Sequence, residues 1–364
     1  MAIELWEPRD LFELRQDMRL EPVPDYFWRT FFNRDFYSED RKIRFADLPT
    51  PHRKLAPYVQ PTSQGKPIFE RKGETVTDFE PAYIKVKDPV RVMEARNVLP
   101  SEIWREGGVP SLQARFDKRV ADVTAFQLRA IDMTKAWMAA RSFIDGKVTI
   151  KYAADQGAEY PEVTIDFGRS SSLNETLTGT FIDDPDYDLI GLWSDMSNTM
   201  YNTTYGGRPT TVIMGSSCVP YVQKNNGIKE LLKSPAVFRG GEDTIVRQGM
   251  LNIDQPMSYI GTIGGIGQSL ELWTYKDTVQ APNGTAVDIL DPRDMLMIAP
   301  GAGGVMAHGA IYDVDAFEGG GISTDVFGKM FKTNDPGDMY VMHQSSPLAV
   351  NTQPNKVAKI RALE

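Results

Sequence analysis

The stretch LQARFDKRVADVTAFQLRAIDMTKAWMAARSFIDG, which follows Ser111, keeps apolar side chains at helical spacing for more than 30 residues. Leu112, Phe116, Val120, Val123, Ala130 and Trp137 fall three, four or seven apart. Ser111 stands where an N-cap is wanted and Gly146 where the pattern stops. A helix of about 30 residues is ~50 Å long, roughly three times the common length in globular domains. The spacing therefore predicts one backbone helix, about 111–145, that spans the molecule and around which the remaining elements must be arranged.

A second stretch departs from ordinary domain sequence in the opposite sense. Residues 58–86, YVQPTSQGKPIFERKGETVTDFEPAYIKV, alternate like two β-strands but offer almost no apolar face. Pro51, Pro57, Pro61, Gly65, Pro67 and Gly73 argue against helix there. Two arms, 65–71 and 75–86, joined by a turn at Lys72-Gly73, are expected; Gly73 supplies the positive φ such a turn needs. An arm of about 12 residues reaches roughly 40 Å, beyond the edge of a small domain. A hairpin so long and polar is expected to lie on another molecule or to extend into solvent.

Charge follows the same division. The 364-residue chain carries a net charge of −9, yet residues 53–96 hold nine basic against six acidic side chains. A basic arm and an acidic body either complement each other between copies or are two solvated faces, and charge alone does not choose between them. Asp183, Asp184, Asp186 and Asp188 concentrate part of the negative charge and are the candidate counterparts of the arm. The acidic balance argues against a surface that grips nucleic acid by neutralising phosphates. No apolar run is long enough for a membrane span, and the acids in MAIELWEPRDLFEL do not fit a signal peptide. Cys218 is the one cysteine, which excludes an internal disulfide framework and suits a reducing cytoplasm.

Elsewhere the pattern predicts an aromatic-rich N-terminal segment of short helices, a strand pair at 147–150 and 161–167, and a helix at 187–202. A short strand at 211–214 precedes helices starting at Cys218 and Gly227. Strands follow at 269–275 and 294–300 with the QAPNG turn (280–284) between them, then two closing strands at 338–350 and 356–363.

Signs of chemistry are sparse. His52, His308 and His343 are scattered, with no zinc-binding spacing. GTIGGIG (261–267) and APGAGGV (299–305) lack the lysine ending of a P-loop, and close backbone packing accounts for their glycines. GSSC (215–218) lacks the pattern of a nucleophile elbow. A glycine-loop hydrolase or nucleotide-binding enzyme built on these loops or on Cys218 is the distant alternative. No catalytic residue, cofactor or metal is expected.

Four blocks, taken in order, resemble the major capsid proteins of tailed bacteriophages, specifically the lambda-like E family. YFWRTFFNRDFYSEDRKIRFADLP (26–49) is similar to its N-arm. Residues 58–90 resemble its E-loop, sharing Tyr58-Val59, Pro61, Gly65, Arg71, Gly73, Phe79, Pro81 and Tyr83. VTIDFGRSSSLNETLTG (163–179), with its D-x-G-R, resembles a P-domain strand. FKTNDPGDMYVMHQSSPLAV (331–350) resembles the closing segment through Asp335-Pro336, Gln344-Ser345 and Pro347-Leu348.

The resemblance implies an α+β capsid fold divided as N-arm 1–54, E-loop 55–96, P-domain with spine helix 97–182, A-domain 183–331 and closing P-domain strands 332–364. It implies self-assembly into hexamers and pentamers of an icosahedral head enclosing double-stranded DNA. Lys66, Arg71, Lys72, Gly73, Glu74, Lys85 and Lys87 would make the intersubunit E-loop contacts. A separate scaffolding protein, a portal and a decoration protein are the implied partners, with assembly in the bacterial cytoplasm and residence in the virion. An encapsulin-like compartment shell is the alternative with the same fold.

Overall fold

In a computed structural model of the chain, the long helix runs Leu112–Asp145, 34 residues without a break. Both ends are closed as the sequence predicts. Ser111 Oγ accepts the Ala114 N–H at 3.1 Å, and Gly146 takes the left-handed conformation, φ 69°, that a residue with a Cβ avoids. The structure describes residues 6–17, 23–47, 75–91, 93, 96, 111–152, 162–178, 182–233, 256–264, 269–281, 284–318, 322–333 and 338–363. Along them the helices are α1 (Pro8–Asp17), α2 (Tyr26–Phe31), the long helix α3, α4 (Leu189–Asn202), α5 (Val219–Lys224), α6 (Asn226–Lys233) and α7 (Val314–Glu318).

Strands are numbered along the described chain. A six-stranded sheet has the order β7 (Asn174–Thr176), β18 (Val357–Arg361), β13 (Asp294–Ile298), β8 (Thr211–Gly215), β10 (Leu270–Tyr275), β9 (Met257–Ile263). A three-stranded sheet joins β15 (Phe327–Lys332), β16 (Met339–Ser345) and β4 (Ile84–Val90); another joins β1 (Asp35–Tyr37), β14 (Gly304–His308) and β17 (Pro347–Asn351). Three ribbons complete the set: β2 (Ile43–Asp47) with β3 (Thr75–Phe79), β5 (Lys147–Ile150) with β6 (Val163–Asp166), and β11 (Thr278–Gln280) with β12 (Ala286–Asp288). The architecture is α+β.

The core follows the period of the strands. In DMLMI of β13, Met295 and Met297 point into the cluster that holds α4 and α5, while Leu296 and Ile298 point toward α3. Both faces of this central strand are covered, which is why it reads as a continuous apolar run rather than an alternation. Each such side chain contributes about 1.5–3 kcal/mol by leaving water.

The long helix changes character along its length. Its first half buries one stripe, Phe116, Val120, Thr124, Gln127 and Ile131, whereas Ala136, Met138, Ala139, Ala140, Phe143 and Ile144 are buried on nearly every side. The expected apolar positions Leu112, Val123, Ala130 and Trp137 are half-buried. The immersion of the second half comes from the N-terminal segment, whose α2 lays Phe31 on Phe143 with ring centroids 4.0 Å apart. The aromatic N-terminus therefore packs on its own long helix.

Two expected strands are divided. Residues 338–350 form β16 and β17, in different sheets, with the break at Ser346 just ahead of Pro347. The arm 75–86 breaks after Phe79; Pro81 cannot donate to a ladder, and β3 pairs with β2 while β4 pairs with β16. The companion arm 65–71 lies outside the described residues. The QAPNG segment belongs to the β11–β12 pair, an extra ribbon between β10 and β13.

The D-x-G-R of residues 166–169 has a structural job at the foot of the long helix. Asp166 accepts the Gly168 N–H at 2.8 Å, and Gly168, φ 77°, turns the chain so that Arg169 points back. Its guanidinium donates to the carbonyls of Ile144 (2.6 Å), Phe143 and Pro354 (3.2 Å). These helix carbonyls have no partner within the helix itself, and a cation there also meets the negative end of the dipole. Arg169→Lys keeps the charge and loses the fork. It is expected to lower the unfolding free energy of the isolated chain in urea by about 1–3 kcal/mol, and an unchanged midpoint would contradict this role.

Candidate assembly site: the clasp on the N-terminal segment

Lys135 sits on the core face of α3, seven residues after Leu128 and four after Ile131, and its side chain is 0% exposed. A buried ammonium must be paired. Its partners are Asp325, in direct contact, and Asp132 at 3.5 Å. Asp325 precedes β15 and also binds Arg15 of α1. On its other side is His308 at the end of β14, with Nδ1 3.5 Å from Asp325 Oδ1 and Nε2 3.7 Å from Asp35 Oδ1. Tyr37 stacks on the imidazole at 5.0 Å. One carboxylate thus joins α1, the long helix and two sheets.

Burial alone would raise the Asp325 carboxyl, but Lys135 and Arg15 outweigh it and hold it down at about 2. Burial and the nearby Lys135 push His308 below its ordinary range against the pull of Asp325 and Asp35. His343, on the inner side of β16, is pushed down to about 4 by burial and by Arg15. It donates Nδ1–H to Gln127 Oε1 at 2.6 Å, and Gln127 in turn donates to Asp88 and to the Val341 carbonyl.

The rest of the N-terminal segment is held by backbone. β1 runs parallel to β14, and Gly303, φ 139°, lets the chain approach the Phe31 carbonyl so closely that an added Cβ would lie 2.3 Å from it. This is the close packing expected of APGAGGV. A second charge network anchors the far end of the long helix: Lys359 of β18 bridges Asp145 (2.8 Å) and Asp294 (3.1 Å), and Arg361 reaches Asp294 (2.9 Å).

The sequence candidates fall in different places. Lys66, Arg71, Lys72, Gly73 and Glu74 lie outside the described residues. Lys85 and Lys87 lie on the outer face of β4, inside a sheet of this chain's own body. Asp183, Asp184, Asp186 and Asp188 are all exposed. Three of them have local duties: Asp184 turns the chain through the Asp186 N–H (3.0 Å), Asp186 accepts from Asn226 (2.6 Å), and Asp188 caps α4 through the Gly191 N–H (2.8 Å). Cys218 is buried at the strand-to-helix junction, and burial pushes its thiol up to about 12, which suppresses the reactive thiolate. Among the described residues no group of three or more His, Cys, Asp or Glu is placed to hold a metal, and no helix is long and apolar enough to cross a membrane.

Asp325→Asn leaves Lys135 buried without its main counter-charge and is expected to cost about 3–5 kcal/mol in urea unfolding. The histidines set a pH dependence whose sign is fixed. Both are neutral when folded, and the unfolded chain takes up a proton below about 6.5. Stability should therefore fall as pH drops from about 6.5 toward 4, and His343→Gln should make the fall shallower. Asp325 adds a further loss only below about pH 4, as its carboxylate is protonated. A flat profile between about pH 6.5 and 4 would contradict buried neutral histidines.

Comparison with known proteins agrees with this architecture. Residues 17–362 match the family described as phage major capsid protein E. The major capsid protein of Enterobacteria phage P21 is 26% identical over 349 residues, covering 92% of this chain and 93% of the relative. That of Escherichia phage lambda is 23% identical over 356 residues, covering 95% of each. The crystal structure of a prophage capsid protein from Escherichia coli CFT073 shares the fold at a TM-score of 0.67 and 18% identity, over 99% of this chain and 100% of that one. The chain belongs to the phage major capsid protein E family, the lambda-like major head proteins of tailed phages.

Proposed function

We propose that this major capsid protein assembles into hexamers and pentamers of an icosahedral head that encloses double-stranded DNA, and that residues 55–96 are the tie between neighbouring subunits. The observation that carries the proposal is the fate of the divided arm. Among the described residues β4 is integrated in a body sheet, whereas β3 pairs with β2 alone. A two-stranded ribbon is marginal in water, and this one lies between the N-terminal segment and a long polar sequence with no core of its own. Ile43 and Phe79 hold one side of it on this chain's own core, and in this reading a second copy covers the other side.

The division into N-arm 1–54, E-loop 55–96, P-domain 97–182, A-domain 183–331 and closing strands 332–364 is carried over in this reading. Lys66, Arg71, Lys72, Gly73 and Glu74 at the tip, with Lys85 and Lys87 at the base, meet a neighbour whose candidate acids are Asp183, Asp184, Asp186 and Asp188. A contact of roughly 1,000–2,000 Å² is enough for specificity, and repetition around the shell adds avidity. The acidic body lets packaged DNA slide, because it neutralises few phosphates. The role is structural, without catalysis or cofactor. A separate scaffolding protein, a portal and a decoration protein complete the head, which forms in the host cytoplasm and resides in the virion.

The test is negative-stain microscopy and sedimentation of Arg71→Glu/Lys72→Glu beside the unmodified protein, each co-expressed with its neighbouring genes. The account expects closed shells from the unmodified chain and a yield at least tenfold lower from the variant. Equal yield and equal particle stability would remove these residues from the tie. A stable monomer under every condition would overturn the shell reading.

A further inference from the structure

The outer face of the β15–β16–β4 sheet presents two unlike patches side by side. In register across it, Pro89 faces Tyr340 and Tyr340 faces Phe331; one step along, Lys87 faces Met342 and Met342 faces Lys329. The Phe331 and Tyr340 rings stack at 5.8 Å, and the Lys87 ammonium lies 4.5 Å from the Tyr340 centroid and 5.9 Å from that of Phe331. This is the basic, aromatic end. At the β15 side α7 lies against the same face. Ala316 is buried with Ile311 and Phe327, and Lys329 binds Asp313 (2.7 Å) and Asp315 (2.9 Å). The outward side of α7 is apolar and acidic: Tyr312, Val314 and Phe317 are 63%, 71% and 73% exposed, beside Asp315 and Glu318. Asp313 and Asp315 share the one Lys329 ammonium, and Glu318 adds a third carboxylate on the exposed helix.

Lys87 and Lys329 are two strand spacings apart, roughly 10 Å. A face with an acidic apolar knob and a basic aromatic strip so close together cannot satisfy itself, because both point the same way. It can satisfy a copy of itself related by a two-fold axis lying in the plane of the face, which turns the two faces toward each other and sets knob against strip. Val314 and Phe317 are among the most exposed large apolar side chains on the described residues, and contiguous exposed apolar surface marks an interaction site.

We propose that this face is a contact between two copies of the chain in the shell, α7 of one lying on the Lys87–Tyr340–Phe331 strip of the other. The Glu318 and Asp315 carboxylates then meet Lys87, and Phe317 and Val314 cover the stacked rings. The proposal rests on the shell reading above and assigns Lys87 a partner other than the Asp183–Asp188 cluster. The carboxylates of α7 disfavour DNA as the occupant, since phosphates brought to the strip would lie beside them.

The test is the double variant Lys87→Cys/Phe317→Cys, assembled and mildly oxidised. A bridge within one subunit leaves the chain monomeric on a non-reducing gel, and Cys218 is buried, so a covalent dimer reports a disulfide between copies. Covalent dimers from shells, and none from unassembled chain, are expected. Shells seen by microscopy that release only monomer would overturn the proposal while the shell reading stands; absence of shells from the unmodified protein would take both away. A strip reactive toward thiol reagents in empty shells and protected only in DNA-filled ones would assign it to DNA and also overturn the proposal. Should the double cysteine variant block assembly, charge exchange decides. Lys87→Glu and Glu318→Lys are each expected to lower shell yield at least tenfold and together to restore it; unchanged single yields, or no restoration, would count against it.

Discussion

An ammonium placed where no water reaches it can be kept only by carboxylates that come to it, and those carboxylates then dictate what else must be near. Lys135 is such a group, and Asp325 is its answer. Asp325 also takes Arg15 and faces His308, so the charge of the long helix determines where α1, β14 and the start of β15 must lie. Replacing the set by apolar residues of like volume need not destabilise a protein. The arrangement has a different merit: it tolerates one register only, because slipping any element strands a buried charge.

The same pattern recurs at the other end of the helix, where Arg141 and Asp145 meet Lys359, Arg361 and Asp294. The long helix is therefore pinned at two places by charge and along its second half by aromatic rings from α2. A rigid body results, and what it leaves exposed among the described residues is instructive: the outer strip of β4 and the outward side of α7 face solvent, whereas the β2–β3 ribbon is held on the body through Ile43 and through Phe79 on Phe167. In the proposed shell these exposed faces meet neighbouring subunits, with the pinned body as their support.

Much of this was legible in the sequence where a local rule acts alone. Ser111 and Gly146 mark the helix ends because capping is a property of two or three residues. DMLMI reads as a buried strand because both its faces are apolar. The four blocks that resemble the lambda-like family were read correctly as to fold and family. What could not be read depends on long-range partners. Pro81 and Pro347 are visible as breaks only once it is known that the strands on either side join different sheets. The ionic clasp draws on residues more than three hundred positions apart, so Arg15, Asp325 and His308 carry no joint signal. Lys135 alone gave a clue, as a charge at a core-facing helical position. The D-x-G-R block was recognised by resemblance, and its work at the helix C-terminus appears only when Arg169 is seen against the carbonyls.

The central claim is that the N-terminal segment is part of the folded subunit, locked on the long helix through the Lys135–Asp325–Arg15 clasp. Hydrogen exchange of the unassembled chain at neutral pH tests it most directly. The account predicts that amides of Pro8–Asp17 and Asp35–Tyr37 are protected to nearly the same degree as those of the long helix and open with it. Exchange of those amides at the rate of unstructured chain, while the long helix stays protected, would contradict it.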